Sequence, residues 1–172
     1  MNAAANDVDT CSAAPRCELV CELLREFGSL CFPASGWSMI PTIWPGETVV
    51  VEPVRTSQLE IGEIVLTEWQ GALRAHRVVD KSKNSAVRTW TTKGDAMRVN
   101  DSPVREKDIL GRVSHVLRGG ERMAIPRQRS KVNRLAAKII SWSFPAARAL
   151  MYLRNRWRDG RVSQESILPC QS

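Results

Sequence analysis

A mainly β domain with an N-terminal helix and a C-terminal helical extension is the fold class this sequence predicts, and three observations predict it. β-Branched runs separated by Gly and Pro turn signals fill residues 31–117. Apolar residues at helical spacing are confined to the two ends. The chain has 172 residues, 43% hydrophobic and 25% charged, which suits one globular domain with extensions and excludes wholesale disorder.

Taken in order, residues 1–14 are rich in Ala, Asn and Asp without periodicity and read as a loose arm. From Pro15 the pattern changes. Val20, Leu23, Leu24 and Phe27 recur at helical spacing, with Glu18 and Glu22 near the start and Gly28 past the end, so an amphipathic helix of about three turns is expected. Strand runs follow: Thr48-Val49-Val50-Val51 after Pro45-Gly46, then Ile64-Val65-Leu66, Arg74 to Val79, Val87 to Thr92 and Ile109 to Leu117. Gln70-Gly71 can serve as a hairpin turn between the second and third of these. Beyond Gly119-Gly120 helical spacing returns, with Val132, Leu135, Ile139 and Ile140 on one face. Ser143 can cap a second helix with Pro145 in its first turn. The divisions are therefore 1–29 for the arm and helix, 30–120 for the β domain and 121–172 for the tail; no internal repeat is read.

The formal charge of +7 is unevenly placed. Residues 118–161 hold twelve Lys/Arg against Glu121 and Asp159, which leaves a mildly acidic body and a strongly basic tail. Five cysteines, Cys11, Cys17, Cys21, Cys31 and Cys170, include no C-x-x-C pair and read as ordinary thiols of a reducing compartment. His76 and His115 have no cysteines at finger-like spacing, so neither a metal nor any other cofactor is implied.

The densest constellation is Ser35-Gly36-Trp37-Ser38-Met39-Ile40-Pro41-Thr42, followed by Pro45-Gly46-Glu47. A lone serine between turn formers is ordinarily structural, because a hydroxyl is a poor nucleophile until a base takes its proton. Here the surrounding motifs change that weighting. Ser38-Met39-Ile40-Pro41-Thr42 with Gly46-Glu47 resembles the nucleophile box of the type I signal peptidases, which reads S-M-x-P-T and then G-D and belongs to the signal peptidase and LexA-like superfamily. Gly62-Glu63-Ile64-Val65-Leu66 is similar to that family's G-D-I-V strand, again with Glu for Asp. His76-Arg77-Val78 resembles the archaeal and endoplasmic-reticulum subtype, which carries histidine where the common bacterial enzymes carry lysine. Thr92-Lys93-Gly94-Asp95-Ala96 looks like the same subtype's third box, with Asp101 six residues beyond Asp95.

The resemblance covers about residues 30–117 and implies a serine endopeptidase that cleaves a signal or leader peptide through an acyl-enzyme. Its implied site is Ser38 as nucleophile, His76 as base and Asp101, or alternatively Asp95, orienting His76. These roles suit the residue types. An imidazole changes charge nearest neutral pH and can take and return a proton, and a carboxylate on its far nitrogen selects the tautomer. The Ser38 backbone N–H is the expected first oxyanion donor, while Gly36 stands where some bacterial relatives carry a hydroxyl. Lys93 is an alternative base, since related enzymes use a Ser-Lys dyad; His115 keeps a structural reading. The resemblance implies that Trp37 and Met39, beside Ser38, help line a substrate cleft; Trp37 and Trp44 read equally as packed core residues.

The expected partner is a peptide or preprotein. Nucleic acid is not expected, because only about 30 residues precede the protease-like region, too few for the helix-turn-helix module of LexA-like repressors. The N-terminal helix is too short and too charged to span about 30 Å of hydrocarbon, which departs from the membrane anchor of known signal peptidases. The tail suits peripheral contact with an anionic membrane, its basic residues on one face and Trp142, Phe144, Leu150 and Trp157 on the other. Membrane-associated and cytoplasmic locations both fit. The competing expectation is an inactive peptide-binding module of the same fold, or a soluble leader-processing or self-cleaving protease.

Overall fold

Pro15 opens α1 (Pro15–Phe27), where its fixed φ suits the first helical turn. Glu18 in the first turn and Arg25 in the last complement the helix dipole. Gly28, at φ 71°, ends the helix in the left-handed conformation with its N–H on Leu24 O at 3.0 Å. Cys17, Val20 and Leu24 are buried against the sheet, whereas Phe27, expected on the same face, is half exposed. The computed structural model in which these elements are seen describes residues 15–82 and 87–127.

The strands among the described residues are β1 (Leu30–Pro33), β2 (Thr48–Glu52), β3 (Ile64–Trp69), β4 (Ala72–Lys81), β5 (Thr89–Lys93), β6 (Val104–Arg105), β7 (Ile109–Arg118) and β8 (Glu121–Ala124). Every pairing is antiparallel, in the order β1-β2-β7-β3-β4-β5-β6, with β8 added along β7. The expected mainly β class is what the chain adopts. β1, β6 and β8 were not among the expected strands; β1 and β6 are short, and β8 lacks a β-branched run and is exposed throughout.

Two turns explain the register. Trp69 pairs with Ala72 across a two-residue turn in which Gln70 has φ 51° and Gly71 φ 78°, the double left-handed geometry that suits the twist of a tight hairpin. Gly119 and Gly120, at φ 62° and 89°, make a second such turn, pairing Arg118 with Glu121. The β domain therefore continues through Ala124, and the start of the expected helical tail at residue 121 is corrected: Gly-Gly is a turn inside the sheet, not its end. The helices expected beyond residue 127 lie outside the described residues.

Both faces of β3 are covered. Ile64 and Leu66 join a core with α1, Met39, Ile43, Val51 and Val116, while Val65, between them, joins a second core with Leu59, Val78, Trp90 and Val104. Strand alternation makes this division, and it leaves β3 buried along Ile64–Thr67. Cys31 on β1 is disulfide-bonded, which corrects the expectation of thiols throughout; cysteine count and spacing do not reveal which thiols meet in space. Cys21 is a free thiol.

The two Gly-Glu sites form the same device. Trp44-Pro45-Gly46-Glu47 and Glu60-Ile61-Gly62-Glu63 are turns with glycine at positive φ and an N–H from the fourth residue to the first carbonyl, at 3.1 and 3.2 Å. In each, the glutamate accepts from the backbone N–H three residues earlier, at 2.9 and 3.0 Å. Each then takes an arginine from β7: Arg118 on Glu47 at 2.9 Å and Arg112 on Glu63 at 3.1 Å. The longer arm of glutamate serves turn and arginine together, which is a structural role.

Candidate active site

Ser38 begins a tight turn between β1 and β2, half-buried, with Met39, Ile40 and Ile43 buried beneath it. The N–H groups of Thr42 and Ile43 both bond Met39 O, at 2.9 and 3.0 Å. A second turn, after β5, clasps the first: the Ala96 N–H donates to Ser38 O at 2.8 Å. Gly94 makes that approach possible. A Cβ there would stand 2.7 Å from Ser38 O and 2.9 Å from Ser38 Cβ, closer than carbon contacts allow. Gly94→Ala is accordingly expected to displace Ser38, so that serine-directed labelling falls at least tenfold while most of the sheet still folds, as labelling rate and circular dichroism together would read.

His76 lies in mid-β4, opposite Val65, so its side chain emerges on the face of the second core. Only 6% of that side chain is exposed. Its Nε2 is 2.9 Å from Ser38 Oγ and its Nδ1 2.6 Å from Asp101 Oδ2. A carboxylate only accepts, so Nδ1 carries the hydrogen and Nε2 is left to accept from the serine hydroxyl. Asp101 is itself secured: its N–H bonds Thr92 O at 2.8 Å, the Thr92 hydroxyl donates to Oδ2 at 2.7 Å, and Arg74 Nη1 donates to Oδ1 at 3.2 Å.

Asp95 occupies a different place. Arg77, the residue after His76, points to the opposite face of β4, and its Nε and Nη2 both bond Asp95, each at 2.9 Å. Thr42 Oγ1 also donates to Asp95. Arg77 Nη1 reaches Gly62 O at 2.5 Å and Pro126 O at 3.0 Å. Asp95 therefore ties the Ser38 turn to the sheet rather than touching His76, and strand alternation is the reason. Lys93 turns outward, with Nζ on Arg98 O at 3.0 Å. His115 lines a separate cleft on β7 with Gly62, Glu63 and Arg127.

The structure thus brings together Ser38, His76 and Asp101 from three parts of the chain, and adds Arg74, Thr92, Arg77 and Thr42, which had no assigned role in the sequence reading. Period-two alternation carried a usable signal for Arg74, two residues before His76 on one face. Thr92 pairs with Val78, again on the face of His76. Among the described residues no group of His, Cys, Asp and Glu is placed to hold a metal ion.

A hydroxyl, an imidazole and a carboxylate stand in hydrogen-bonded line on an antiparallel sheet, and the family-model match sets this chain among the serine peptidases of the signal peptidase and LexA-like superfamily. The chain belongs to the Peptidase S24-like family, whose model matches residues 10–113. No curated protein and no solved structure matches it. Among the described residues no helix is long and apolar enough to cross a membrane.

Proposed function

We propose that this chain is a serine endopeptidase of signal peptidase type, of the subtype with a histidine base, and that it cleaves a signal or leader peptide. The supporting observation is the unbroken line from Ser38 Oγ through His76 to Asp101, with both contacts at hydrogen-bond length. Ser38 Oγ bonds the peptide carbonyl carbon as its proton passes to His76 Nε2, and the resulting oxyanion accepts from the Ser38 backbone N–H. The carbon–nitrogen bond then breaks as Nε2 returns the proton to the leaving amine. Water, deprotonated by the same nitrogen, then bonds the acyl carbon, and the ester bond to Ser38 Oγ breaks as Nε2 returns the proton to that oxygen. Throughout, Asp101 keeps Nδ1 protonated and stabilises the imidazolium. Trp37 and Met97, 41% and 50% exposed, lie on the two turns that meet at Ser38 and suit an apolar peptide.

The test is covalent labelling by a serine-directed acylating probe. Wild type is expected to label. Ser38→Ala is expected not to label, and His76→Ala to label at least about a thousandfold more slowly. A folded wild type that never labels would instead indicate an inert peptide-binding module. Membership of the S24-like family favours a second reading, a cut made in the chain itself. Fragments that form from purified protein at a rate independent of its concentration, and are absent in Ser38→Ala, would carry that reading.

The basic tail, which lies largely beyond the described residues, is proposed to hold the protein against an anionic membrane. Full-length protein is expected to sediment with phosphatidylserine vesicles and to be released as salt is raised, because screening weakens each cation's attraction of about 1 kcal/mol. Equal binding to neutral vesicles would contradict the proposal.

A further inference from the structure

Asp101 lies outside every strand, in the segment between β5 and β6, and its backbone is tied to the sheet through the bond to Thr92 O. Its side chain is 17% exposed, so rotation of the carboxylate has to be restrained by its neighbours. Two restraints, Thr92 Oγ1 and His76 Nδ1, act on Oδ2. The third acts on the other oxygen: Arg74 Nη1 on Oδ1 at 3.2 Å.

Arg74 is well placed for this. It stands two residues before His76 on the same face of β4 and opposite Thr67 of β3. Trp69, two residues beyond Thr67, supplies a platform on that face, with the guanidinium carbon 4.8 Å from the ring centroid. A planar cation resting on an aromatic ring loses little further freedom when it bonds a carboxylate. We propose that Arg74, seated on Trp69, is a positioning residue that holds Asp101 in the orientation His76 requires. The proposal rests on the reading of Ser38, His76 and Asp101 as one catalytic unit. With Arg74 removed, Oδ1 is taken by water and the carboxylate can turn away from Nδ1.

The test compares Arg74→Leu, Arg74→Lys, Trp69→Leu, Asp101→Asn and the Arg74→Leu/Asp101→Asn pair in the full chain. Arg74 is 29% exposed, so its replacement opens no sealed cavity, and melting curves check that each variant is folded. Arg74→Leu is expected to slow the maximal acylation rate about tenfold, the worth of one hydrogen bond to a charged group, with the half-saturating probe concentration unchanged. Arg74→Lys restores most of that rate, and Trp69→Leu loses part of it. In the Asp101→Asn background, Arg74→Leu adds nothing, because the group it positions is already gone. Wild-type rates in Arg74→Leu, or losses that multiply in the pair, would overturn the proposal.

A second readout needs no activity. The His76 Nδ1–H proton resonance, assigned by its loss in His76→Ala, is expected to exchange faster with water in Arg74→Leu; an unchanged resonance overturns the positioning role. A wild type that is never acylated but whose resonance responds in this way would remove the catalytic reading and leave the positioning of Asp101 standing.

Discussion

Asp101→Asn is expected to slow acylation of Ser38 by about ten-thousandfold with little change in stability. The physical reason lies in which group faces His76 Nδ1, now 2.6 Å from a carboxylate oxygen that can only accept. Asparagine can present its NH₂ there instead. The imidazole then carries its hydrogen on Nε2, and that nitrogen cannot take the Ser38 proton; loss of the orienting carboxylate in such triads costs about 10⁴ in rate. The amide oxygen still accepts from Arg74, so the folded state forfeits mainly the charge of a partly exposed pair, worth at most about 1 kcal/mol, while the Thr92 hydroxyl turns to accept from the NH₂. Labelling rate and chemical denaturation, measured on the same sample, separate the two effects. A stable variant labelling within tenfold of wild type would mean that Asp101 does not serve His76.

The opposite pattern is expected at the other aspartate. Asp95→Ala removes the carboxylate that faces Arg77, and both side chains are out of water, 0% and 4% exposed. The guanidinium is left buried without its counter-charge, which typically costs about 3–5 kcal/mol. Its bonds to Gly62 O and Pro126 O satisfy hydrogens but not the charge. Thr42, on the nucleophile turn, loses its acceptor at the same time. An unfolding free energy lowered by that amount, read as a lower urea midpoint at unchanged slope, is the expected result. A loss below 1 kcal/mol would show that the pair does not anchor this part of the fold. The two aspartates, six positions apart, are thus separable by experiment into one that affects rate and one that affects folding.

Much of this was legible before any coordinates. The β-branched runs placed β2, β3, β4, β5 and β7 within a few residues, because their side chains lie in cores on the two faces of the sheet and must be apolar. Gln70-Gly71 was readable as a hairpin because a turn with two positive φ angles draws on few residue types. β1, β6 and β8 were not readable. They are short or exposed, and neighbours distant in sequence hold them in the sheet, as when Leu30 pairs with Val51 or Thr89 with Arg105. Gly119-Gly120 misled for a related reason: the same glycines suit a domain end and a hairpin, and only the partner strand distinguishes them.

Three ordered boxes singled out Ser38, His76, Asp95 and Asp101, because the chemistry of acyl transfer restricts the residue types that can perform it. Which aspartate meets His76 was decided by tertiary structure alone. Alternation along β4 sends His76 to one face and Arg77 to the other, and the turn after β5 delivers Asp95 to Arg77 while the following segment carries Asp101 back beneath His76. Residue order and type by themselves determined the β-rich body and its tight hairpin and singled out the candidate reactive side chains. The pairing of those side chains, the continuation of the sheet through β8 and the Arg74–Trp69 support of Asp101 depend on contacts between residues far apart in the chain, whose formation is a matter of packing and strand register rather than local preference.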